Sequence, residues 1–491
     1  MKRVFGYLLI LTGLAACGVF PSCKKDNPAG GGGDIPGGDP QEEVASATRN
    51  LQRAIALTDA AMKNYFNEAD GFAMYRYYNP YNGTHQNNEY GSVWMYTSAI
   101  EAVNAVLKGL EADKAKGNIT LYTAHHDRYV QLLDKLVDRL DYYSGTFSLT
   151  SFTQTRNWTV YGVNRGKSKG SASVAGRDNV YDDQLWLIRE LIEAYHLTGK
   201  AEYFRKAEDL TEYVLDGWDC TVKNGKERGG IPWGPGYYSK HSCSNGPMVS
   251  PLVWLSEAYQ GKSDQATWRY IDLSDGHTRK AEQMPKSEYY LMFARKVYAY
   301  QKDNLMMKDG SRVYADNLNG PSIGADIQYE TVDGERYRKP ADLNDFNGPA
   351  ISYNSGTMLS GAADLYRVTG EDAYLKDLQA LDVDSFRAFA KLGQQKAGYY
   401  SYAIDGFNNW FNGVLLRGYV DTFPYDSAAS VPIDSFQKNL DYAWDNYLND
   451  DLLPPSLLVG WNTDRSRNNV EGMFEFAFAA EYAVLSRYLN K

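Results

Sequence analysis

The sequence predicts an all-α protein, an (α/α)6 toroid made of six helical hairpins, and two observations predict it. From Glu42 onward the apolar residues recur mostly at helical spacing, and strand-like runs are few and short. The second observation is an internal repeat, in which residues 194–204 and 365–375 carry the same pattern. Twelve helices arranged in pairs can close into a ring whose inner helices line a funnel and bury one continuous core.

The helical spacing is clearest in the fourth predicted helix. Its apolar residues Leu185, Ile188, Leu191 and Ile192 lie on one face, together with Tyr195. We predict helices at residues 42–66, 90–110, 124–143, 180–198, 201–216, 244–260, 286–303, 352–369, 372–392, 407–422, 432–449 and 468–489.

The internal repeat places a glycine at the end of one helix and restarts a second helix at once. Gly199 follows Thr198 in the first copy, and Gly370 follows Thr369 in the second. Glycine is favoured there because it adopts the left-handed backbone that ends a helix without steric cost. Both copies are therefore predicted to be helical hairpins of the same design.

The composition restricts the class of function. Hydrophobic residues make up 43% of the 491 residues, which is enough for a large core. The formal net charge of −10 argues against nucleic-acid binding by bulk electrostatics, although it does not argue against neutral sugars. The chain also has 40 Tyr, 10 Trp and 18 Phe. Such rings suit groove walls that stack on sugars, but they also fill the interfaces between helices.

The amino terminus is typical of an exported lipoprotein. Lys2 and Arg3 precede a short apolar run at residues 7–16, which is too short to remain as a membrane-spanning helix. Cys17 ends a Leu-Ala-Ala-Cys sequence that fits a bacterial lipobox, in which the thiol is acylated. Cys23, which is followed by polar residues, is the second candidate for lipid attachment, and we favour Cys17.

A flexible tether follows the signal. Residues 27–39 are rich in glycine and cannot bury enough apolar area to order themselves. We therefore predict a lipoprotein signal region at 1–23, a tether at 24–41 and one (α/α)6 domain at 42–491. The expected location is the cell envelope, either the outer-membrane surface or the periplasm, with the lipid as the only membrane contact and the protein as a monomer.

The remaining cysteines and the histidines give no strong signal. Cys220 and Cys243 could form one disulfide in an oxidising compartment or stay as two buried thiols. His125 and His126 are adjacent, so on a helix they cannot both face one metal ion, and the other histidines are scattered. We predict no metal site and no cofactor.

Two long inserts fall between predicted helices. Residues 144–179 are rich in Gly, Ser and Asn, and residues 304–351 are rich in Asp, Asn and Gly. Loops of this length in a compact domain are usually functional. In a toroid they would gather at one rim of the funnel and form a groove.

The strongest candidates for chemistry are Asp182 and Asp183, at the start of the fourth helix. Carboxylates at a helix start commonly cap the free backbone N–H groups, so a purely structural role is a serious alternative. Glycoside hydrolysis, however, needs one ionised and one protonated carboxyl group at the scissile bond. Adjacent helical residues diverge by about 100°, which allows carboxyl groups about 5 Å apart, the separation of retaining enzymes.

Several short motifs, in the same order along the chain, resemble those of family 76 of the glycoside hydrolases, the α-1,6-mannanases. The most specific is Asp-Asp-Gln-Leu-Trp at 182–186, and the resemblance covers most of the body. The sequence departs from the usual family pattern at Pro232, Ser355 and Asn412. The other matching segments are 191–199, 229–233, 244–246, 353–356, 365–370, 410–413 and Arg417.

The resemblance implies an (α/α)6 fold and endo-acting, retaining hydrolysis of α-1,6-linked mannose, as in the backbone of yeast mannan. Asp182 would be the nucleophile and Asp183 the general acid/base, although the spacing itself leaves these roles open. The implied partner is therefore α-mannan or a manno-oligosaccharide. Members of the family that act in fungal walls are transglycosylases, so water need not be the acceptor.

Further residues are candidates for substrate binding. The aromatic candidates for stacking on sugars could equally be rings of the helix core, and the two asparagines could equally cap helices. Arg417 is expected to pair with a buried acid. The candidates are Trp233, Tyr237, Asn245, Tyr353, Asn354 and Trp410, with Trp461 as a further ring.

Two alternatives to an α-1,6-mannanase remain open from the sequence. A surface lipoprotein that binds glycans without cutting them would share the anchor, the helices and the aromatic residues, but it would not need Asp182 and Asp183. An (α/α)6 hydrolase or transglycosylase acting on another linkage would have the same toroidal fold but a different substrate linkage.

Overall fold

The computed structural model describes residues 40–321, 326–344 and 346–491, without the side chains of residues 40, 41, 88 and 347. Residues Gln41–Lys491 form one compact unit. The predicted signal region, almost all of the tether, and both Cys17 and Cys23 lie outside the described residues.

Twelve α-helices form the frame of the described chain, and each lies where the sequence predicted a helix. The main differences are at helix ends. The sixth helix begins at Val249 rather than near 244, because two short 3-10 turns precede it, the second of which contains Pro247. The helices are α1 Pro40–Tyr65, α2 Val93–Ala115, α3 Thr120–Leu140, α4 Tyr181–Thr198, α5 Ala201–Asp216, α6 Val249–Ala258, α7 Lys286–Leu305, α8 Ser352–Thr369, α9 Asp372–Phe389, α10 Asn408–Thr422, α11 Ser430–Tyr447 and α12 Gly472–Leu489.

The even-numbered helices form an inner ring, and the odd-numbered helices surround it. Helices α8 and α12 are buried on nearly all sides, whereas α5 and α9 bury only one face, as expected for inner and outer helices. The inner helices pack in the order α2, α4, α6, α8, α10 and α12, and α12 packs against α2 to close the ring. The structure therefore confirms the predicted (α/α)6 toroid.

The repeated Thr-Gly pair ends α4 and α8 in the same way. Gly199 and Gly370 have φ values of 69° and 68°, and their N–H groups donate to the carbonyls of Tyr195 and Tyr366 at 2.7 and 2.8 Å. In the first copy the hydroxyl of Thr198 also donates to the carbonyl four residues earlier, at 2.7 Å. The two predicted hairpins are confirmed, and each returns the chain through an outer helix.

One close helix contact explains another landmark of the sequence. Gly356 of α8 and Gly418 of α10 face each other, and a Cβ atom on Gly356 would lie 2.6 Å from the carbonyl oxygen of Val414. The two backbones can approach only because these positions lack side chains.

The long inserts contain β-hairpins, which the sequence analysis did not predict. A third hairpin, at 265–285, lies between α6 and α7. These strands carry many polar residues and are half-exposed, so their alternation is weak against the helical signal. The strands are β1 Phe66–Asn67, β2 Ala73–Met74, β3 Tyr77–Tyr78, β4 Ser144–Thr150, β5 Thr155–Tyr161, β6 Val222–Lys223, β7 Lys226–Glu227, β8 Lys240–His241, β9 Gln265–Ile271, β10 Arg279–Pro285, β11 Ala315–Leu318, β12 Tyr329–Val332, β13 Glu335–Arg338, β14 Phe346–Ala350, β15 Lys391–Leu392, β16 Tyr400–Ser401 and β17 Val470–Glu471.

A three-stranded sheet connects two segments at the rim. Strand β11 lies between β8 and β14, and both pairings are antiparallel. Asn317 of β11 is paired with His241 of β8. The sheet thus brings the insert at 304–351 against the segment that precedes α6.

Cys220 and Cys243 are both buried free thiols, so no disulfide joins them. Within the part of the chain that the structure describes, no helix has both the length and the apolar character needed to cross a bilayer.

We predict that Gly370→Ala lowers the free energy of unfolding by about 1 kcal/mol, because alanine is strained in the left-handed backbone. Nothing lies within 4 Å of the added Cβ atom, so the loss would report the backbone alone. Urea unfolding measures it. Gly370→Asn is the matched control and should lose less, since Asn tolerates this conformation; an equal loss for both variants would contradict the explanation.

Candidate active site

Asp182 and Asp183 occupy the first turn of α4, at the rim where the inner helices begin. Two contacts fix this helix start. The N–H of Tyr181 donates to the carbonyl of Trp233 at 2.8 Å. The Gln184 side chain donates to the carbonyl of Tyr161 at 2.8 Å and accepts from its N–H at 3.1 Å. The aspartates therefore sit on a helix end held from two sides.

Asp182 is surrounded by hydrogen-bond donors. The indole N–H of Trp186, one turn later, donates to Oδ1 of Asp182 at 3.1 Å. Interaction with the thiol of Cys243 also lowers the pKa of the Asp182 carboxyl group. The indole N–H of Trp233 is buried without a hydrogen-bond partner among the described residues, and it too lowers the pKa of Asp182. These donors favour the ionised form of Asp182.

Asp183 has a different environment from its neighbour. Burial, followed by repulsion from Asp182, raises the pKa of Asp183 well above its usual range. Burial raises the pKa of Asp182 to about 7, although the thiol of Cys243 and the hydrogen bond from Trp186 oppose that rise. The pair therefore favours one ionised and one protonated carboxyl group, which is the division of labour that glycoside hydrolysis requires.

A third carboxyl group, which the sequence analysis missed, lies beside the pair. Asp316 of β11 is close enough to raise the pKa of Asp182 by repulsion, and its own pKa is raised to about 6 by burial. Its Oδ1 lies 4.0 Å from Nδ1 of His241. Nothing in the sequence singled out Asp316 among the many acids of its insert, because its position depends on the pairing of β11 with β8.

An aromatic wall stands next to the pair. The Trp233 ring lies 4.7 Å from His241, nearly parallel to it, and 4.6 Å from Tyr237. Burial lowers the pKa of His241 to about 3, so this imidazole is neutral. Trp233 and Tyr237 are half-buried, which leaves part of each ring open to a ligand. Their contact with a sugar stays a prediction.

Two other aromatic candidates lie beneath the site instead of on its surface. Tyr353 is 6% exposed and stacks on Phe411 at 4.4 Å. Trp410 is 2% exposed, contacts Trp186 edge-on at 4.7 Å, and donates its N–H to Glu101 at 2.9 Å. Because their faces are covered by protein, both rings support Trp186 and are not available as stacking platforms in this structure.

The two asparagine candidates are also internal. Asn245 donates to the carbonyls of Ile231 and His241 at 2.9 and 2.8 Å and accepts from the N–H of Ile231 at 2.8 Å. It therefore shapes the turn before α6 and has no free group aimed at a ligand. Asn354 is 1% exposed and donates to the carbonyl of Ala315 at 3.1 Å, which anchors β11.

Charged groups fill the interior below the aromatic residues. Arg417 forms a buried ion pair with Glu101, as predicted for Arg417. Both residues line a cavity of about 40 Å³ together with Arg189 and Glu190. Burial raises the pKa of Glu190 to about 7. Trp461, the last aromatic candidate, lies apart from this group in the loop before β17 and contacts Tyr81 edge-on at 5.7 Å.

Comparison with known proteins agrees with this geometry. Residues 116–268 and 279–446 match the model of glycosyl hydrolase family 76. No curated protein matches the sequence.

Solved structures show the same fold at low sequence identity. A family 76 glycoside hydrolase (mannosidase) of Bacteroides thetaiotaomicron is 21% identical, with 89% of this chain and 98% of that chain covered and a TM-score of 0.65. An α-1,6-mannanase of a Salegentibacter species is 18% identical, with 90% and 100% covered and a TM-score of 0.58. A second Bacteroides thetaiotaomicron protein, an α-mannanase, is 14% identical, with 92% and 98% covered and a TM-score of 0.61.

We predict that Asp183→Asn raises the melting temperature at pH 8 and changes it little at pH 4. The folded protein binds a proton at Asp183 that the unfolded chain releases as the pH rises, so this residue costs stability above its ordinary pKa. Thermal unfolding at both pH values measures the effect. Asp127→Asn removes an exposed carboxylate and is the control; an equal gain for Asp183→Asn at pH 4 and pH 8 would rule out this origin.

Proposed function

Since the chain belongs to glycosyl hydrolase family 76 and is therefore a glycoside hydrolase, we propose that it is an endo-acting α-1,6-mannanase that retains the anomeric configuration. The observation that carries the proposal is the contrast between the two adjacent carboxyl groups at the funnel rim. Asp182 receives hydrogen bonds that favour its anion, while burial and repulsion keep the proton on Asp183.

The choice of linkage rests on similar proteins. An inactive variant of the Salegentibacter α-1,6-mannanase, in which two adjacent aspartates are replaced, was solved in complex with α-1,6-mannotriose. Another inactive variant of that enzyme, with alanines at the same two positions, was solved with an α-1,6-linked tetrasaccharide. The adjacent acids of this chain, Asp182 and Asp183, make the same substrate the best first choice.

The proposed reaction has two steps. In the first, the Asp182 carboxylate attacks the anomeric carbon while Asp183 donates its proton to the departing glycosidic oxygen, giving a glycosyl ester on Asp182. In the second, the Asp183 carboxylate takes a proton from water as that water attacks the anomeric carbon and displaces Asp182. Both acids then return to their starting protonation states.

The surroundings of the pair support this assignment of roles. A nucleophile must be ionised, and Asp182 accepts the hydrogen bond from Trp186. A general acid must hold its proton near neutral pH, which the raised pKa of Asp183 achieves. The half-buried ring of Trp233, which contacts Tyr237 and influences the pKa of Asp182, would provide a face for a mannose unit.

We also propose that the enzyme is a lipid-anchored protein of the cell envelope. The signal-like amino terminus, the lipobox ending at Cys17 and the glycine-rich tether support this location. A tether would let the catalytic unit reach a polysaccharide that is too large to diffuse through the envelope.

We expect Asp182→Asn and Asp183→Asn each to lower the rate of cleavage of linear α-1,6-mannan by at least about 10³-fold, because each removes one essential carboxyl function. The products are separated by size, and wild-type protein should give a ladder of short oligosaccharides. Glu257→Gln is the matched control, since Glu257 lies at the opposite end of an inner helix and pairs with Arg367.

The same digestion tests the remaining parts of the proposal. Nuclear magnetic resonance of the first products should show the α-anomer, whereas the β-anomer would indicate inversion and contradict a nucleophilic Asp182. Binding of mannan without cleavage, unchanged in both Asp variants, would reject the enzyme assignment and favour a glycan-binding lipoprotein. Cleavage of another α-mannan only would reject the linkage.

For the anchor, we expect Cys17→Ala to abolish incorporation of radiolabelled palmitate in an expressing bacterium and Cys23→Ala to leave it intact. The reason is that acylation requires the small and apolar residues that precede Cys17. Labelling lost only in Cys23→Ala would move the anchor to Cys23. Absence of label in the wild-type chain would reject lipidation.

A further inference from the structure

A charged cavity lies between four inner helices, below the two aspartates, and takes no part in the reaction proposed above. Its volume is about 40 Å³, and it is lined by helices α2, α4, α10 and α12. Glu193 of this lining follows Asp182 by about three turns of α4. Buried charges are stable only when they are paired, so each charged group here needs a partner. The charged residues of the lining are Glu101, Lys108, Arg189, Glu190, Glu193, Arg417 and Arg487.

The carboxyl groups of the cavity already accept hydrogen bonds. Oε1 of Glu193 accepts from the ammonium group of Lys108 at 2.7 Å. Oε2 of Glu190 accepts from the side-chain amide of Asn104 at 2.8 Å. The third acid, which belongs to the buried ion pair described above, accepts from two donors. The acids of the cavity therefore have partners within the protein.

Two guanidinium groups in the same cavity donate no hydrogen bond to the described part of the protein. Arg189, whose side chain is 10% exposed, approaches Glu190 and Glu193 only at 3.3 and 3.9 Å, and its Nε is buried without a partner. Arg487 approaches Asp421 only at 3.6 Å, and its Nε is likewise buried without a partner. A guanidinium group carries five N–H donors, so the cavity has many donors and no acceptor for them.

The cations of the cavity lie close to one another. Against the effect of burial, Lys108, Arg189 and Arg487 together lower the pKa of Glu193 to about 2, so all three act on the same carboxylate. Four cations and three acids line the cavity. Burial raises the pKa of Glu190 to about 7, which leaves this acid partly protonated at neutral pH. The lining therefore carries a net positive charge in addition to its unused donors.

We propose that the cavity binds one small inorganic anion, with chloride as the best-suited species, held by the guanidinium groups of Arg189 and Arg487. The anion would accept the hydrogen bonds that both groups leave unused and would reduce the repulsion among the cations. The ionised carboxylate of Glu193 close by disfavours a doubly charged anion such as phosphate. A metal ion does not fit this place, because guanidinium groups only donate.

The cavity has the size and the access that a small anion needs. About 10–15 Å³ is enough for one water molecule, so a cavity of about 40 Å³ has room for a chloride ion and a water molecule. The side-chain oxygen of Asn104, which is buried without a partner, would accept from that water. The side chains of Lys108 and Arg487 are 28% and 25% exposed, against 10% for Arg189. Because Arg487 lies in the last turn of α12, the entrance is at the end of the ring opposite to the aspartates.

The first test is the melting temperature of the full-length protein at constant ionic strength, as sodium chloride replaces sodium gluconate. Gluconate is too large for the cavity, so the series separates binding from screening. A ligand that binds only the folded state stabilises it by mass action, so the wild-type Tm should rise with the logarithm of the chloride concentration above the Kd. A Tm that does not depend on chloride would overturn the proposal.

Variants assign the effect to the cavity. In Arg487→Met the rise of Tm with chloride should be lost, and an unchanged rise would overturn the proposal. Arg189→Lys keeps the charge but loses the planar fork, so the rise should begin at higher chloride concentration. The matched control is Arg367→Met, because Arg367 already donates to Glu257 and Asp364 at 2.9 and 2.8 Å. This variant should keep the wild-type dependence on chloride.

The second test locates the ion directly and needs no activity. Crystals of the wild-type protein grown in sodium bromide should show an anomalous peak in the cavity, within hydrogen-bond reach of Arg189 and Arg487. A cavity that holds water alone, without an anomalous peak, would overturn the proposal. The outcome is independent of the proposed hydrolysis, since neither test uses mannan. If mannan is not cleaved, the anion site stands; if the cavity holds no bromide, the assignment of the hydrolase is unaffected.

Discussion

The shielding of two adjacent carboxyl groups from water at one helix end, with Asp183 buried and Asp182 half-buried, is the constraint on which the rest of the site depends. Withdrawing Asp182 and Asp183 from water disfavours their charged forms. The free-energy cost must be offset by the rest of the fold, because one helix end alone would not offset it. The closed ring supplies the missing stability, because it fixes the amino end of α4 between neighbouring inner helices. The positive end of the α4 dipole and the indole N–H of Trp186 then favour one anion at this place.

The site is supported by successive layers of the interior. Trp186 holds Asp182 and packs against Trp410, which in turn donates to Glu101, the partner of Arg417. These contacts connect the reacting group to an ion pair deep in the ring. Catalytic geometry of this kind is precise only when the supporting side chains are themselves locked. The many aromatic residues of the sequence therefore have two roles. Some form the wall at the rim, and others pack below it and support the site.

Much of the frame followed from the sequence, because helices leave a periodic signal and the Thr-Gly repeat marks where two of them end. Asp182 and Asp183 were found because local spacing alone places them on one helix start. Asp316 was not predicted from the sequence, because the antiparallel pairing of β11 with β8 brings it near the pair. A long-range contact of this kind leaves no local signal in the sequence. Tyr353 and Trp410 could only be named as candidates for stacking on sugars, because an aromatic residue on an inner helix can face either the rim or the packed interior, and sequence does not distinguish the two.

The acids buried in the inner ring change the electrical character of the whole molecule. Burial raises the pKa of Glu475 in α12 to about 8, and it raises the pKa of Glu481 in the same helix well above its usual range. With Asp183, these groups keep protons at neutral pH that the same residues in an unfolded chain would release. These retained protons make the native molecule less anionic at neutral pH than full ionisation of its acids, the basis of the formal charge of −10, implies.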